Sequence, residues 1–188
     1  KIDEEGLENI SKKYDAVFMG TGVGKPRILS VPGSSLKGVM SAMKFLININ
    51  QSNIPMIEKN EKVLIVGAGY VGIDAARSAV RLGGNVTCIT IDSKEKAFEN
   101  VSLKDYEEAK EEGVKFIFDA RVKEIIGKEK VEGVNYSNHI EGRVECTKVI
   151  CAIGQEHEED SLKSPIRTGE KGYVAVNESY QTIISNVF

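Results

Sequence analysis

A β-branched apolar run that leads directly into three spaced glycines constrains the fold of this chain more than any other feature. Residues 62–74 read KVLIVGAGYVGID, with Gly67, Gly69 and Gly72 in a GxGxxG pattern between a strand-like run and helix-like spacing. In such a strand–turn–helix unit, the first glycine permits a tight turn, the second leaves the backbone bare for a phosphate, and the third lets the helix pack close to the strand. The pattern predicts a dinucleotide pyrophosphate at the helix N-terminus, with helix-on-strand packing alone as the alternative role.

The predicted contacts to the dinucleotide extend from this turn to the end of the next apolar run. In a unit of this kind, an acidic residue about 20 positions beyond the glycines accepts hydrogen bonds from the adenosine ribose. Asp92 stands at this spacing, directly before Ser93. The candidate cofactor-binding residues of these two segments are Gly67, Ala68, Gly69, Tyr70, Val71, Gly72, Asp92 and Ser93.

Composition excludes several other classes of function. The 188 residues are 41% hydrophobic and carry a net charge of −3, whereas a nucleic-acid-binding protein needs a basic face to neutralise phosphates. No apolar run approaches the ~20 residues that cross a membrane, and the charged stretch at residues 1–13 is unlike a signal peptide. We therefore expect neither nucleic-acid nor membrane partners, and a cytoplasmic parent protein.

The cysteines and histidines give no sign of a metal or redox site. Cys88, Cys146 and Cys151 share no CxxC spacing and lie in or beside apolar runs, where a free cysteine acts as a small buried hydrophobe. His139 and His157 lie among polar residues without a second ligand at useful spacing. We expect both histidines at the surface, and no metal site.

Strand-like and helix-like segments alternate through the first two thirds of the chain. Apolar runs predict strands, helical spacing and caps predict helices, and Gly83-Gly84 and Gly113 end two of those helices. The predicted strands are Tyr14–Gly20, Lys62–Gly67, Val86–Ile91 and Val114–Phe118, and the predicted helices are Met40–Asn50, Tyr70–Leu82 and Ser102–Glu112.

After residue 118 the helical spacing stops. Three short alternating runs, Val122–Ile126, Val131–Tyr136 and Gly142–Cys146, predict an antiparallel meander, and Val149–Gly154 then predicts a buried parallel strand. A meander that replaces one crossover helix explains this order. The predicted fold is therefore α/β: a three-layer Rossmann-like dinucleotide-binding domain with a parallel sheet and an antiparallel β-meander crossover.

Several segments of the chain together resemble one family. In order, they read YDAVFMGTGVGKPRILSVPGSSLKGVMSAMKFL, VGAGYVGIDAARSAVRLGGNVT, AKEEGVKF, AIGQ and QTIISNVF. They are similar to the pyridine-nucleotide-binding half of FAD-dependent oxidoreductases related to the glutamate synthase small (β) subunit. The resemblance implies hydride transfer from NAD(P)H to FAD, with a large (α) subunit or an iron–sulfur carrier as the next electron acceptor. The flavin does the redox chemistry, so no catalytic residue is assigned.

The same resemblance implies how the chain is organised. Residues 1–38 match the close of an FAD-binding segment and a linker, 39–155 the NAD(P)-binding domain, and 156–188 the return toward the FAD domain. Because only one GxGxxG is present, we expect a fragment that holds no FAD and is inactive alone. Thr21-Gly22 and Ala152-Ile153-Gly154 resemble the passages between the domains, which adds Ala152, Ile153 and Gly154 to the candidate cofactor-binding residues.

Nucleotide preference depends on the end of the second predicted strand. NADPH-using relatives often carry two adjacent arginines there, where guanidinium groups bind the 2′-phosphate. Here the positions hold Ile91 and Asp92, and a carboxylate accepts hydrogen bonds from an unmodified ribose but repels a phosphate. The sequence therefore favours NAD(H) over NADP(H), although Lys94 or Lys96 offers a charge for a phosphate.

Other interpretations stay open at this point. Tyr70 stands where relatives often have a small polar residue, and its side chain either covers the pyrophosphate, stacks near the cofactor, or blocks entry. Asp74 and Arg77 have the (i, i+3) spacing of an ion pair within one helix. A non-catalytic NAD(H)-binding scaffold or sensor module is the alternative function, and the neighbouring segments of the encoded protein distinguish it from an oxidoreductase.

Overall fold

The computed structural model describes residues 3–20, 22–51, 55–156, 166 and 173–188. Residues 26–154 form one compact unit, and residues 1–25 with 155–188 form the other. In chain order the elements are α1 (Glu4–Lys13), β1 (Lys25–Pro26), β2 (Val39–Ser41), α2 (Ala42–Gln51), β3 (Lys62–Val66), α3 (Tyr70–Arg81), β4 (Asn85–Ile89), α4 (Lys94–Asn100), α5 (Leu103–Glu111), β5 (Lys115–Ile117), β6 (Arg121–Ile126), β7 (Gly133–Asn138), β8 (Ile140–Val144), β9 (Lys148–Cys151) and β10 (Gln155–Glu156).

A five-stranded parallel sheet is the centre of the larger unit. Its strand order is β2-β9-β3-β4-β5, and β3 pairs with β4 on one side and with β9 on the other. The side chains of β3 alternate between the two faces of the sheet, as the pleat requires. Val63 and Ile65 belong to one apolar core, whereas Leu64 and Val66 belong to another. The run at residues 62–66 is therefore uniformly apolar because both faces are covered.

Helices α2, α3 and α5 cover the first face. Ala75, Ala76 and Ala79 of α3 are fully buried against β3 and β4, and their small side chains let the helix approach the sheet closely. Phe45 of α2 fills the space beside them and is also fully buried. Burial of such an aromatic side chain contributes about 2–3 kcal/mol to folding.

The three-stranded antiparallel sheet β6-β7-β8 covers the second face. Val122, Ile125 and Val134 from this meander pack with Leu64 and Ile89 of the parallel sheet. The meander connects β5 to β9 in the place of a crossover helix. The prediction of a three-layer α/β fold with a meander crossover is confirmed.

One local prediction was wrong, and one helix was not predicted. The unpredicted helix is α4, which forms after Ser93, whose hydroxyl accepts a hydrogen bond from the Lys96 N–H at 3.3 Å. The usual Glu or Gln of a capping box is absent at the third helical position, which holds Lys96. Tyr14–Gly20 is not a strand, because only Val17 forms a bridge, to Val187.

Residues 26–38 pack inside the larger unit. Val31 and Leu36 join the meander core, and the Ile125 N–H donates to the Pro32 carbonyl at 2.9 Å. Gly33 has φ +82°, and a Cβ there would overlap the Ile125 carbonyl. The compact unit thus begins earlier than residue 39, where the sequence-based boundary between linker and nucleotide domain was placed.

The smaller unit has its own apolar cluster. Leu7 of α1 packs with Ile166 and Val187, and all three are buried. The Asn186 side-chain amide donates to the carbonyls of Ser11 and Tyr14 at 2.7 and 2.8 Å. The predicted return segment 156–188 belongs to this unit, although residues 157–165 and 167–172 lie outside the described residues.

Candidate functional site

The turn after β3 has the conformation that its glycines predict. Gly67 has φ +105°, in the region that favours glycine, and a Cβ there would overlap the Ala152 carbonyl oxygen. Gly72 is buried in α3, and a Cβ on it would overlap the Gly67 carbonyl oxygen. These two glycines therefore allow α3 to start directly behind β3, with β9 alongside.

Gly69 differs from the other two glycines. It is the N-cap of α3, with ordinary extended dihedral angles, and apart from its neighbours in the chain no described residue has an atom within 4 Å of the position where a Cβ would be. Among the described residues, no acceptor receives the amide hydrogens of Gly69, Tyr70 and Val71. The helix dipole adds partial positive charge at the same place. Bare space beside unpaired N–H groups fits the pyrophosphate of a dinucleotide.

A cleft of about 460 Å³ opens at the carboxyl ends of the strands. This is the edge of a parallel sheet at which α/β proteins bind nucleotides. The lining residues come from five segments of the larger unit and are Leu29, Ser30, Val31, Val66, Gly67, Ala68, Gly69, Ile89, Thr90, Ile91, Asp92, Ala120, Arg121, Val122, Ala152 and Ile153. Six candidates from the sequence are among them: Gly67, Ala68, Gly69, Asp92, Ala152 and Ile153.

The loop after β4 places Asp92 in the cleft. The hydroxyl of the buried Thr90 accepts a hydrogen bond from the Asp92 N–H at 3.2 Å, which fixes the turn that follows the strand. The Asp92 side chain is 26% exposed, and its Oδ1 lies 3.0 Å from the Nζ of Lys96 on α4. The hydrogen bond with Asp92 raises the pKa of Lys96. The predicted ribose ligand is therefore already paired with a cation.

Arg121 is a lining residue that the sequence did not identify. It begins β6, and the preceding Ala120 N–H donates to the Thr90 carbonyl at 2.8 Å, which holds the strand beside the loop after β4. Among the described residues, no side chain pairs with the guanidinium of Arg121. Because this contact joins β4 to the meander, the position of Arg121 depends on tertiary packing, and no local motif indicates it.

One of the two segments that resemble a passage between domains, Ala152-Ile153-Gly154, lies beside the glycine turn at residues 67–72. The Ala152 N–H donates to the Val66 carbonyl at 2.7 Å, so the backbone leaves β9 directly against the end of β3. Gly154 has φ +94° and does not line the cleft, and its carbonyl accepts from the Arg27 N–H at 3.0 Å. Gly22 of the other predicted passage has φ +63°, whereas Thr21 lies outside the described residues.

Four further candidates stand apart from the cleft lining. Tyr70 is 58% exposed on the first turn of α3, and Val71 beside it is also exposed. Gly72 is buried in the helix, and the Ser93 hydroxyl caps α4. Apart from the residues that adjoin Gly69, no part of the described chain comes within 4 Å of the Gly69 Cβ position, so no other element fills that space.

Arg77 pairs across two helices rather than along its own. Its Nη2 lies 2.7 Å from Glu112 Oε1 and 2.9 Å from Glu108 Oε2, and Arg81 Nη2 also reaches Glu112 Oε1 at 2.6 Å. The predicted pair with Asp74 is thus wrong, since α5 packs beside α3 and offers two carboxylates. Hydrogen bonds from Arg77 and Arg81 lower the pKa of Glu112 to about 2. This cluster fixes α3 from outside the cleft.

The predictions for cysteine and histidine agree with the structure where it describes them. Cys88, Cys146 and Cys151 are free and buried, and burial raises the pKa of the Cys88 and Cys146 thiols to about 12. His139 is exposed in the turn between β7 and β8, and His157 lies outside the described residues. Within the described ranges, no group of three potential metal ligands occurs, and no helix is long and apolar enough to span a membrane.

Comparison with known proteins identifies the family. A family model described as "Pyridine nucleotide-disulphide oxidoreductase" matches residues 3–188. The chain belongs to this family. Within it, the resemblance to glutamate synthase small subunits is confirmed. The glutamate synthase [NADPH] small chain of Halomonas elongata is 32% identical over 140 residues, which cover 68% of this chain and 29% of that relative.

Other members of the pyridine nucleotide-disulphide oxidoreductase family match as well. The NAD(P)H coenzyme A polysulfide/persulfide reductase of Pyrococcus horikoshii is 29% identical across 100% of this chain and 42% of its own length. The crystal structure of thioredoxin reductase from T. acidophilum superposes with a TM-score of 0.73 at 26% identity, over 92% of this chain and 55% of that one. The chain thus spans less than half the length of both curated relatives.

Proposed function

We propose that this chain is the NAD(P)H-binding part of a flavoprotein oxidoreductase of the glutamate synthase small-subunit type. The observation that carries the proposal is the turn at residues 67–72, where two glycines bring β3, α3 and β9 together and Gly69 leaves open space before unpaired amides. When bound, the nicotinamide nucleotide supplies the hydride that reduces FAD in the parent protein. The residues of the chain itself bind and orient the nucleotide, and none acts as an acid or base.

Each part of the cleft has a separate role in the proposed complex. The amides of Gly69 to Val71 bind the pyrophosphate, and the positive end of the α3 dipole stabilises its charge. The Asp92 carboxylate accepts hydrogen bonds from the adenosine ribose. Ala152 and Ile153 hold the nicotinamide end, and Gly154 forms the turn directly after them. The apolar walls at Val66, Ile89 and Val122 exclude water from the cleft.

The proposed preference is for NAD(H) over NADP(H). It is supported by Asp92, the one acidic residue among the described residues that line the cleft. A carboxylate repels a 2′-phosphate but accepts hydrogen bonds from free ribose hydroxyls. We propose this nucleotide preference for this chain only. Its curated relatives include one protein named for NADPH and one named for NAD(P)H, so their names do not indicate a single nucleotide.

The parent protein supplies the rest of the proposed pathway. In this proposal the smaller unit, residues 1–25 with 155–188, belongs to the FAD-binding part of the parent protein, and the isolated chain binds nucleotide without turnover. A large (α) subunit or an iron–sulfur carrier takes the electrons from the flavin. We place the parent in the cytoplasm, and the three free thiols fit that reducing compartment.

Calorimetric titration of the purified chain with NADH and with NADPH tests the proposal. We expect saturable binding of NADH and weaker binding of NADPH. The variant Gly69→Ala is expected to lose most of this binding, because its added methyl group fills the space in front of the amides without touching any element beyond the adjoining residues. Absence of binding by both nucleotides contradicts the proposed function, and tighter binding of NADPH contradicts the role of Asp92.

A further inference from the structure

We propose that Cys88 is a positioning residue for the nucleotide, because its thiol holds the Gly67–Ala68 peptide in the orientation that directs the Ala68 N–H into the cleft. This role rests on the proposed function and deepens it, since it concerns how the pyrophosphate-binding turn keeps its shape. The observation behind it is a hydrogen bond from the Cys88 Sγ to the Gly67 carbonyl oxygen at 3.5 Å. This bond joins β4 to the first residue of the turn after β3.

Both polar backbone groups of Gly67 are held by β4. The Gly67 N–H donates to the Ile89 carbonyl at 2.8 Å, and the Gly67 carbonyl accepts from the Cys88 thiol. In the described part of the chain, no other donor bonds to this carbonyl. A Cβ on Gly72 would overlap the same oxygen, so α3 packs directly against it. The thiol therefore satisfies an inward-facing carbonyl beneath the turn.

The surroundings of Cys88 keep its side chain a donor. Cys88 is fully buried and belongs to the apolar core that also contains Ile65 and Ala76. Burial raises the pKa of the thiol to about 12, so the sulfur keeps its hydrogen near neutral pH. A neutral S–H group in an apolar core gains from an acceptor, and the Gly67 carbonyl is that acceptor.

The orientation of this peptide determines where the Ala68 N–H points. The peptide is trans, and a trans peptide carries its carbonyl and its N–H on opposite sides of one plane. Because the Gly67 carbonyl points inward to Cys88, the Ala68 N–H points outward, and Ala68 lines the cleft. Among the described residues, no acceptor receives this N–H. It extends the run of unpaired amides at residues 69–71, and successive amides of this kind form a concavity that binds anions.

A peptide that follows a glycine needs such an anchor. Gly67 has φ +105° and no side chain, so its own conformational preference does little to keep the peptide from rotating. A rotated peptide would turn the carbonyl oxygen toward the pyrophosphate and replace an attractive dipole with a repulsive one. An S–H hydrogen bond is weak, but here it acts on a group whose direction decides the sign of the contact. We therefore expect Cys88 to affect nucleotide affinity separately from stability.

Three substitutions of Cys88 separate its hydrogen bond from its volume. Cys88→Ser keeps a donor but buries a hydroxyl, so we expect thermal unfolding about 3 °C or more below wild type, with ADP-ribose affinity within about twofold. Cys88→Val removes the donor and keeps the core filled, so we expect thermal unfolding within about 2 °C of wild type and about fivefold weaker binding. Cys88→Ala removes the donor without added volume and is expected to weaken binding equally. Calorimetry and thermal unfolding of the full chain measure both quantities.

The amide resonance of Ala68 provides a readout that stability alone does not change. In nuclear magnetic resonance spectra at saturating ADP-ribose, we expect this resonance to shift strongly in wild type and Cys88→Ser, and much less in Cys88→Val. Cys146→Val is the matched control, because Cys146 is also free and buried but belongs to the core beneath the meander. It is expected to leave both the affinity and the Ala68 shift unchanged.

The outcomes distinguish the role of Cys88 from the proposed function. If wild type binds ADP-ribose, and Cys88→Val and Cys88→Ala bind it equally well with an unchanged Ala68 shift, the role of Cys88 is overturned and the proposed function stands. A loss of affinity in Cys88→Ser or Cys146→Val that equals the loss in Cys88→Val also overturns it. If wild type does not bind ADP-ribose, the proposed function fails together with this role.

Discussion

The loops that follow β3 and β4 lie at the same edge of the sheet, but they are built in different ways. After β3 the backbone itself makes the site, because Gly67 and Gly72 allow close approach and Gly69 exposes amides. After β4 the site consists of side chains, in which Thr90 fixes the turn and Lys96 pairs with Asp92. A site made by backbone has one geometry, whereas flexible charged side chains can change their positions when a ligand binds.

The largest expected effect concerns the geometry of the backbone-built loop. Gly67→Ala places a methyl group into the Ala152 carbonyl at φ +105°, and we expect it to lower the free energy of unfolding by about 3 kcal/mol or more. Gly113→Ala is the matched control, with φ +107° and no atom within 4 Å. It is expected to cost about 1 kcal/mol, because only the dihedral strain applies. Urea unfolding of both variants measures the difference, and equal losses contradict the role of the close approach.

Gly69→Ala should separate binding from stability in the same loop. Its φ of −73° suits any residue and its surroundings are open, so we expect less than about 1 kcal/mol of destabilisation. The methyl group nevertheless occupies the space where the phosphate approaches, and NADH affinity is expected to fall by about 30-fold or more. Thermal unfolding and calorimetry on one preparation check both values. Unchanged affinity would falsify the assignment of the pyrophosphate to this loop.

The ion-pair cluster behind α3 should affect stability but not binding. The folded pKa of Glu112, about 2, lies below its ordinary value of 4.5, so its stabilising contribution is complete above about pH 4.5 and is lost as the pH falls toward 2. Glu112→Gln is expected to lower the free energy of unfolding at pH 7 by ~1–2 kcal/mol, and the difference from wild type should shrink with acid. The exposed Glu111 supplies the control, as Glu111→Gln. A difference in the free energy of unfolding between Glu112→Gln and wild type that does not change with pH would contradict this account.

The smallest effect is expected in the side-chain-built loop. Asp92→Asn removes the carboxylate that accepts the ribose hydrogen bonds, and we expect about fivefold weaker NADH binding with NADPH unchanged or tighter. Asp74→Asn is the control, because Asp74 is exposed on α3 and does not line the cleft. The measured quantity is the ratio of the two affinities. If Asp92→Asn leaves this ratio unchanged, Asp92 does not select between NADH and NADPH.

The same contrast between the loops explains how much could be predicted from the sequence. The glycine spacing, the buried strands and the meander were predicted because each depends on local conformation or on hydrophobic periodicity. Arg121 was not, since a hydrogen bond between Ala120 and Thr90 brings it to the cleft from another layer. Arg77 was assigned the wrong partner for the same reason, because Glu112 approaches it only when α5 packs on α3.

The nuclear magnetic resonance spectrum of backbone amides during titration with ADP-ribose tests the central claim most directly. The account predicts that the largest chemical-shift changes occur at the amides of residues 68–71, with smaller changes at residues 90–92, and that Gly69→Ala suppresses both. Changes confined to the meander face or to the unit of residues 1–25 and 155–188, or no change at saturating ADP-ribose, would contradict it.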